Sequence, residues 1–186
     1  MKEIETLESK SVYKNKWMSV REDKIRRASG AEGIFGVVDK PDFVVILPIH
    51  EGHIYIVEQY RYPVEKRFWE LPQGSWEDNK DADHLLVAAG ELKEETGLVA
   101  NRMAYLGHQY LAYGYSSQGY HMYLATELEL SSTQLDAEEE GLISKKVSIE
   151  EFEEMILSGE IKDATTVNTY GIAKLKGLIK NIEPKN

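Results

Sequence analysis

One short segment, Phe43–Ile49, is almost wholly apolar and reads FVVILPI. A run of this kind, without alternation of apolar and polar residues, is typical of a strand that is buried on both faces. The turn residues Glu51 and Gly52 follow it, and a second strand is predicted over Ile54–Arg61. The sequence therefore predicts a sheet with a central strand covered on both sides.

Further strands are predicted before and after this pair. The turn-rich segment 28–33 separates two strand-like stretches within Lys16–Asp39, which predicts an N-terminal β-hairpin. Downstream, strands are predicted over Met103–Tyr113, Tyr120–Leu130 and Leu142–Ser148.

Three helices are predicted from their apolar residues and their capping residues. The first covers His84–Thr96 and ends at Gly97, in the position of a helix C-cap. Ser148 is the predicted N-cap of a second helix, which ends at Gly159. Asp163 is the predicted N-cap of the third.

The first predicted helix carries carboxylates on one face. Glu91, Glu94 and Glu95 stand at positions i, i+3 and i+4, which places them side by side. The opposite, apolar face is predicted to consist of Leu85, Ala88, Ala89 and Leu92. A solvated helix face is the ordinary explanation of such a trio, but Mg²⁺ also binds through a few carboxylates plus substrate phosphates. The preceding Gly74 would let the backbone approach a metal or a phosphate closely.

Composition limits the kinds of metal site and binding partner that the chain can have. The chain of 186 residues has no cysteine, which excludes disulfides, thiolate zinc sites and cysteine nucleophiles, so any metal must bind oxygen or imidazole. The formal charge of −10 disfavours nucleic acids and anionic membranes as partners, and a divalent cation is the simplest bridge to an anionic substrate. No apolar run is long enough to span a membrane and no secretory signal is evident, so we expect a cytoplasmic protein. The histidines show no metal-ligand spacing and are predicted to be structural or exposed; they are His50, His53, His84, His108 and His121.

The segment Gly90–Leu98, GELKEETGL, resembles the end of the Nudix box. Two earlier segments, Glu58–Pro63 and Trp69–Gly74, are similar to a strand and a loop of the Nudix branch that hydrolyses ADP-ribose and ADP-sugars. The similarity continues through residues 148–152 and 158–163 to the final helix and leaves out about the first dozen residues.

This resemblance implies an α/β Nudix fold, an α/β/α sandwich with a mixed β-sheet, over residues 41–186. Residues 1–40 would form an N-terminal β-hairpin segment that packs across a homodimer. The implied activity is a hydrolase that splits the pyrophosphate bond of a nucleoside-diphosphate compound, such as ADP-ribose or a nucleotide sugar, by attack of water on phosphorus. The implied cofactor is Mg²⁺ or Mn²⁺, and its implied ligands are Gly74, Glu91, Glu94 and Glu95.

The resemblance also implies the other site residues. A general base is expected in the acidic loop after the box, where Glu140 is favoured over Glu138 and Glu139, with Glu91 as a further catalytic carboxylate. The implied substrate contacts are Arg61, Arg67, Glu70, Tyr113, Tyr115 and Gln118. Guanidinium groups can pair with phosphate oxygens and aromatic rings can stack on a base, although surface solvation and ordinary packing are alternatives for Arg67 and the tyrosines.

The chain departs from the Nudix pattern at two places. Gly90 stands where the pattern has the Arg that holds the metal-binding carboxylates in position. The span from Gly74 to Glu91 is two residues longer, which is reconciled by an insertion within Glu77–Asp83. The loop that would face the substrate also lacks the Pro usual in the ADP-ribose branch.

Other functions remain to be weighed against hydrolysis. The alternative on the same fold is a sensor that binds a nucleotide sugar without cleaving it, which the departure at Gly90 favours. Isomerisation of isoprenoid diphosphates is disfavoured because that chemistry relies on a cysteine in the family. A nucleic-acid substrate is disfavoured by the acidic charge.

Overall fold

The computed structural model describes residues 2–76, 82–131 and 140–179. The chain begins with a three-stranded antiparallel sheet in the order β1-β2-β3. Its strands are β1 (Ile4–Lys14), β2 (Ser19–Arg27) and β3 (Glu32–Asp39). The predicted hairpin corresponds to β2 and β3, and β1 adds a strand that the sequence pattern did not predict. Every residue of β1 is exposed, so this strand has no buried apolar face that periodicity could reveal.

A second, seven-stranded sheet follows. Its strands are β4 (Phe43–His50), β5 (His53–Arg61), β6 (Lys66–Glu70), β7 (Gln73–Gly74), β8 (Leu98–Tyr110), β9 (Gly119–Leu130) and β10 (Ile143–Ser148). The order is β10-β5-β4-β9-β8, with β6 paired to β5 and β7 paired to β4. Because β4 is parallel to β9 and antiparallel to β5, the sheet is mixed, as expected.

Helices cover both faces of this sheet. They are α1 (His84–Thr96), α2 (Ile149–Ser158) and α3 (Ala164–Leu175). On one face, Ile46 of β4 packs in a cluster with Leu92 of α1; on the other, Leu47 packs in a cluster with Phe152 of α2. All six interior residues of β4 are buried, which confirms the two-sided burial predicted from its apolar run. The fold is the expected α/β/α sandwich, and none of the three described helices is long and apolar enough to cross a membrane.

The predicted helix boundaries are confirmed by their caps. Gly97 adopts the left-handed conformation with φ of 69°, and Gly159 does so with φ of 80°. The Ser148 side chain accepts a hydrogen bond of 3.1 Å from the N–H three residues later. The Asp163 side chain accepts one of 2.8 Å from Thr166 N–H.

The buried face of α1 differs from the predicted one. Leu85 and Ala89, which were expected in the core, are exposed. The buried residues of α1 are Val87, Ala88, Glu91, Leu92 and Glu95. The helix is therefore rotated so that two carboxylates lie in the protein interior. A pattern that assigns carboxylates to solvent and leucines to the core cannot foresee this orientation.

Candidate active site

The carboxylates of α1 do not form a solvated surface. Only 6% of Glu91 and 2% of Glu95 is accessible to solvent, and Glu94 is partly buried. Glu95 Oε2 accepts a hydrogen bond of 3.2 Å from the backbone N–H of Gln73. Burying two neighbouring carboxylates costs free energy unless partners compensate their charge. Because they are buried, these carboxylates do not serve to keep the helix surface soluble.

Gly74 brings backbone against one of these carboxylates. It lies on β7, where it pairs with Val44 of β4. A Cβ added at Gly74 would stand only 2.4 Å from Glu91 Oε2, so any side chain would collide with the carboxylate. Glycine is therefore required for this close approach. A buried group of carboxylates beside a peptide backbone is an oxygen-rich donor set that fits a hard divalent cation.

The N-terminus of α3 fixes the loop that carries Gly74. Thr166 Oγ1 accepts a hydrogen bond of 2.9 Å from Leu71 N–H, and Thr165 Oγ1 donates one of 2.8 Å to Gln73 Oε1. Both threonines are buried. Sequence reasoning missed them because the residues they bind are more than ninety positions earlier in the chain.

A cleft of about 900 Å³ reaches Gly74. The cations that line it are Lys40, Arg61, Lys66 and Lys162. They come from separate segments, so no run in the sequence indicated a basic patch, and only Arg61 was predicted. Two carboxylates, Glu70 and Asp163, also line it, so positive groups still exceed negative ones in a chain whose formal charge is −10, and this local excess suits an anionic ligand.

Arg61 is held in this cleft by Glu70. Arg61 Nε donates to Glu70 Oε2 at 3.1 Å, and Gln59 Nε2 donates to Glu70 Oε1 at 3.0 Å. Burial raises the pKa of the Glu70 carboxyl, although the Arg61 guanidinium opposes the change. The geometry gives Glu70 a role in orienting Arg61, while its contact with substrate stays a prediction.

The loop before β9 reaches the cleft through one predicted residue. Gln118 is buried, lines the cleft and donates from Nε2 to the carbonyl of Pro41 at 2.8 Å. Tyr113 and Tyr115 are exposed, and neither is among the described residues that line the cleft. Their contact with substrate stays a prediction.

Arg67 makes its hydrogen bonds within the protein. It donates to Glu58 Oε2 at 2.8 Å and to the carbonyl of Gly141 at 2.6 Å. This geometry favours a role in anchoring the end of the acidic loop over the predicted phosphate contact. Glu140, next to that anchor, is exposed. Glu138 and Glu139 lie outside the described residues.

The structure gives a physical reason for Gly90. A Cβ at this position would lie 2.5 Å from Cζ2 of Trp76, so the indole ring occupies the space that a side chain would need. Trp76 immediately precedes the part of the chain where the insertion relative to the Nudix pattern was placed.

Replacing Gly90 by Arg should destabilise the protein by about 1–3 kcal/mol, since overpacking against Trp76 outweighs the gain in helix propensity. The double variant Trp76→Ala/Gly90→Arg should recover part of that loss, which urea denaturation would measure. Gly171→Ala on α3, where a Cβ meets nothing within 4 Å, is the matched control and should be neutral or stabilising. A Gly90→Arg variant as stable as the wild type, with tighter Mg²⁺ binding, would contradict the packing argument.

Three of the histidines, which share no metal-ligand spacing in the sequence, lie close together in the structure. The rings of His84 and His121 are stacked with centroids 4.1 Å apart, and the centroid of His108 is 4.8 Å from that of His121. Burial and the two neighbouring imidazoles lower the pKa of His121. Three histidines that are distant in sequence thus form one cluster, because adjacent strands and the start of α1 bring them together.

Comparisons with known proteins agree with the fold. Residues 4–38 match the nucleoside diphosphate sugar hydrolase N-terminal domain, and residues 40–168 match the NUDIX domain. An ADP-ribose pyrophosphatase of Mycobacterium tuberculosis is 32% identical over 173 residues, covering 92% of this chain and 81% of that protein. An ADP-ribose pyrophosphatase of Bacillus subtilis is 26% identical over 180 residues, covering 95% and 96%. The crystal structure of an ADP compounds hydrolase superposes with a TM-score of 0.84 at 20% identity, covering 95% and 96% of the two chains.

Proposed function

This chain belongs to the NUDIX family, and from that premise we propose that it hydrolyses ADP-ribose or a related nucleotide sugar with Mg²⁺ or Mn²⁺ bound. It is a Nudix pyrophosphohydrolase, so the reaction is cleavage of a pyrophosphate bond. The alternative of a non-catalytic sensor is therefore set aside. The names of two relatives, both ADP-ribose pyrophosphatases, support the substrate class.

The observation that carries this proposal is the meeting of the cationic cleft with the buried carboxylates at Gly74. Four cations and two carboxylates line the cleft, and two further lining residues approach the buried carboxylates: Gly74 lies against Glu91, and Gln73 N–H donates to Glu95. An anionic ligand in the cleft and a divalent cation on the carboxylates would neutralise one another's charge near Gly74.

The residues present fit the cation. Glu91, Glu94 and Glu95, together with the backbone of Gly74, would hold Mg²⁺ or Mn²⁺, which when bound screens phosphate oxygens and lowers the pKa of an attacking water. The chain's own part is to position the diphosphate. Arg61, oriented by Glu70, presents its remaining N–H groups to phosphate oxygens from the side of the cleft.

Turnover of a substrate panel tests the proposal. With Mg²⁺, ADP-ribose should yield AMP and ribose 5-phosphate, because water attacks one phosphorus of the P–O–P bridge and the bridging oxygen leaves with the other phosphate. Nucleotide sugars and dinucleoside diphosphates should reveal how strictly the sugar is selected, and AMP, which has no pyrophosphate bond, is the control. Binding of these compounds without turnover, in the presence of Mg²⁺ or Mn²⁺, would overturn the proposal.

We propose Glu140 as the general base, ahead of Glu138 and Glu139. Carboxylates that face a cation are poor proton acceptors, so a separate carboxylate is expected to take the proton. Glu140→Gln should lower kcat by roughly 10²–10⁴-fold and change KM far less, as expected of a group that acts mainly in the transition state. If Glu138→Gln or Glu139→Gln is the impaired variant, the base lies one or two residues earlier; if none is impaired, it lies on α1.

We also propose that the N-terminal sheet, rather than the predicted hairpin alone, packs across a homodimer. A three-stranded sheet of this size needs a surface to pack on, yet apolar side chains remain exposed along it. They are Ile4, Leu7, Val12, Ile34 and Phe35. Sedimentation at micromolar concentration should give the mass of two chains, and Ile34→Lys should shift it towards one. Leu175→Lys, at an exposed position on α3, is the control. A wild-type monomer would contradict the proposal.

A further inference from the structure

The histidine cluster includes a carboxylate in ligand geometry. His108 Nε2 is 2.9 Å from Asp42 Oδ2, and His121 Nε2 is 3.8 Å from the same oxygen. The three potential ligand atoms all lie within 4.8 Å of one another. Bonds of about 2.0–2.2 Å to a tetrahedral Zn²⁺ place ligand atoms about 3.3–3.6 Å apart, so small side-chain rotations would bring all three onto one ion.

We propose that Asp42, His108 and His121 form a transition-metal site, best suited to Zn²⁺ and distinct from the carboxylate face of α1. Two imidazoles and one carboxylate are a donor set that suits Zn²⁺ and other late first-row metals. Mg²⁺ prefers oxygen ligands and is a poor competitor here. Between 21% and 40% of each side chain is exposed, so an ion can enter from solvent and keep a water at its remaining position.

The ligands are positioned by neighbouring groups, as a metal site requires. Asp42 Oδ1 accepts a hydrogen bond of 2.7 Å from Gly119 N–H, which turns Oδ2 towards the histidines. The Tyr105 hydroxyl lies 3.1 Å from His121 Nδ1, so this nitrogen can carry its proton towards the phenol oxygen and leave Nε2 for a metal.

Gly119 admits the second imidazole to this site. A Cβ at Gly119 would stand 2.1 Å from His108 Nε2 and 2.9 Å from the carbonyl of Gln109, so a larger residue would displace the ring. The site therefore depends on a glycine as well as on its ligands.

The position of the ligands indicates what the ion would do. Asp42 lies in the linker between β3 and β4, whereas His108 is on β8 and His121 on β9. A bound ion would therefore link the segment between β3 and β4 to strands β8 and β9 of the seven-stranded sheet. Zn²⁺ would bind the folded chain and not the unfolded one. It should therefore raise the melting temperature of the protein by mass action.

A Zn²⁺ titration of the full chain, followed by ¹H–¹⁵N NMR of the histidine rings, tests the proposal. This readout reports imidazole ligation directly and is insensitive to zinc held by carboxylates alone. With one equivalent of Zn²⁺, the signals of His108 and His121 should move and those of His50 and His53 should not. Loss of a ligand in His108→Ala should weaken this binding by more than about 100-fold, and Tyr105→Phe, which removes only an outer partner, by roughly 10–100-fold.

Controls separate ligation from general effects. His50→Ala removes a histidine on the same sheet outside the cluster and should retain full binding. Glu95→Gln should retain the histidine shifts even if it is inactive, so failure of the zinc site and failure of the proposed activity are distinguishable. If His108→Ala does not fold, Asp42→Asn tests the same ligand set. Histidine shifts that need a large excess of Zn²⁺, or that survive in His108→Ala or Asp42→Asn, would overturn the proposal.

Discussion

Replacing Glu95 by Gln should lower turnover by roughly 100-fold or more without unfolding the protein. Only 2% of Glu95 is exposed, so its carboxylate acts in the protein interior and not at the surface. Loss of the proposed metal ligand would remove several kcal/mol of transition-state stabilisation, and each 1.36 kcal/mol corresponds to about tenfold in rate. The amide oxygen of Gln can still accept the hydrogen bond from Gln73 N–H, so the loop before the helix should keep its place.

The matched control is Glu154→Gln, an equal change of charge at an exposed position of α2. It should leave both turnover and the melting temperature near those of the wild type. Rates should be measured over a Mg²⁺ series, because a weakened site should recover in part at high metal concentration. Full activity of Glu95→Gln, or of the wild type in excess EDTA, would show that these carboxylates hold no essential metal.

Gly74→Ala should impair the enzyme almost as severely, although it adds only a methyl group. That group would lie within 2.4–2.6 Å of the Glu91 carboxyl atoms, which are buried and cannot swing into solvent. Either β7 or the carboxylate must then move. A misplacement of about 1 Å in an active site can cost roughly 100-fold in rate, so we expect kcat/KM to fall by about that factor.

Gly171→Ala serves again as the comparison, since the same methyl group meets open space there. A crystal structure of the Gly74→Ala variant would show whether β7 or the Glu91 carboxylate has moved. If Gly74→Ala retains wild-type kcat/KM although β7 or the Glu91 carboxylate has moved, the close approach of position 74 to Glu91 does not matter for catalysis.

Local signals predicted much of this fold. The ends of the helices followed from Gly97, Ser148, Gly159 and Asp163, because a cap depends on residues within a turn or two of the chain. The buried strand β4 followed from its composition alone. The family resemblance supplied the order of layers, and the structure confirmed the α/β/α sandwich.

The rest depends on contacts that are distant in sequence. Strand β1 exists because it pairs with β2, and its exposed residues carry no period of their own. The contact of Trp76 with Gly90 and the cluster of Asp42, His108 and His121 arise only after the strands and the helix are in place. Spacing rules examine one stretch at a time, so they could not find either feature.

The attachment of the Gly74 loop to α3 has a consequence for synthesis on the ribosome. The hydrogen bond from Leu71 N–H to Thr166 spans 95 residues, so a growing chain can form α1 and most of the sheet well before it can secure this loop. The ribosome makes the chain from the N-terminus onward. A diphosphate could therefore be positioned beside α1 only after α3 has been made. An unfinished or C-terminally cut chain should accordingly be inert towards cellular nucleotides even when most of its strands have formed.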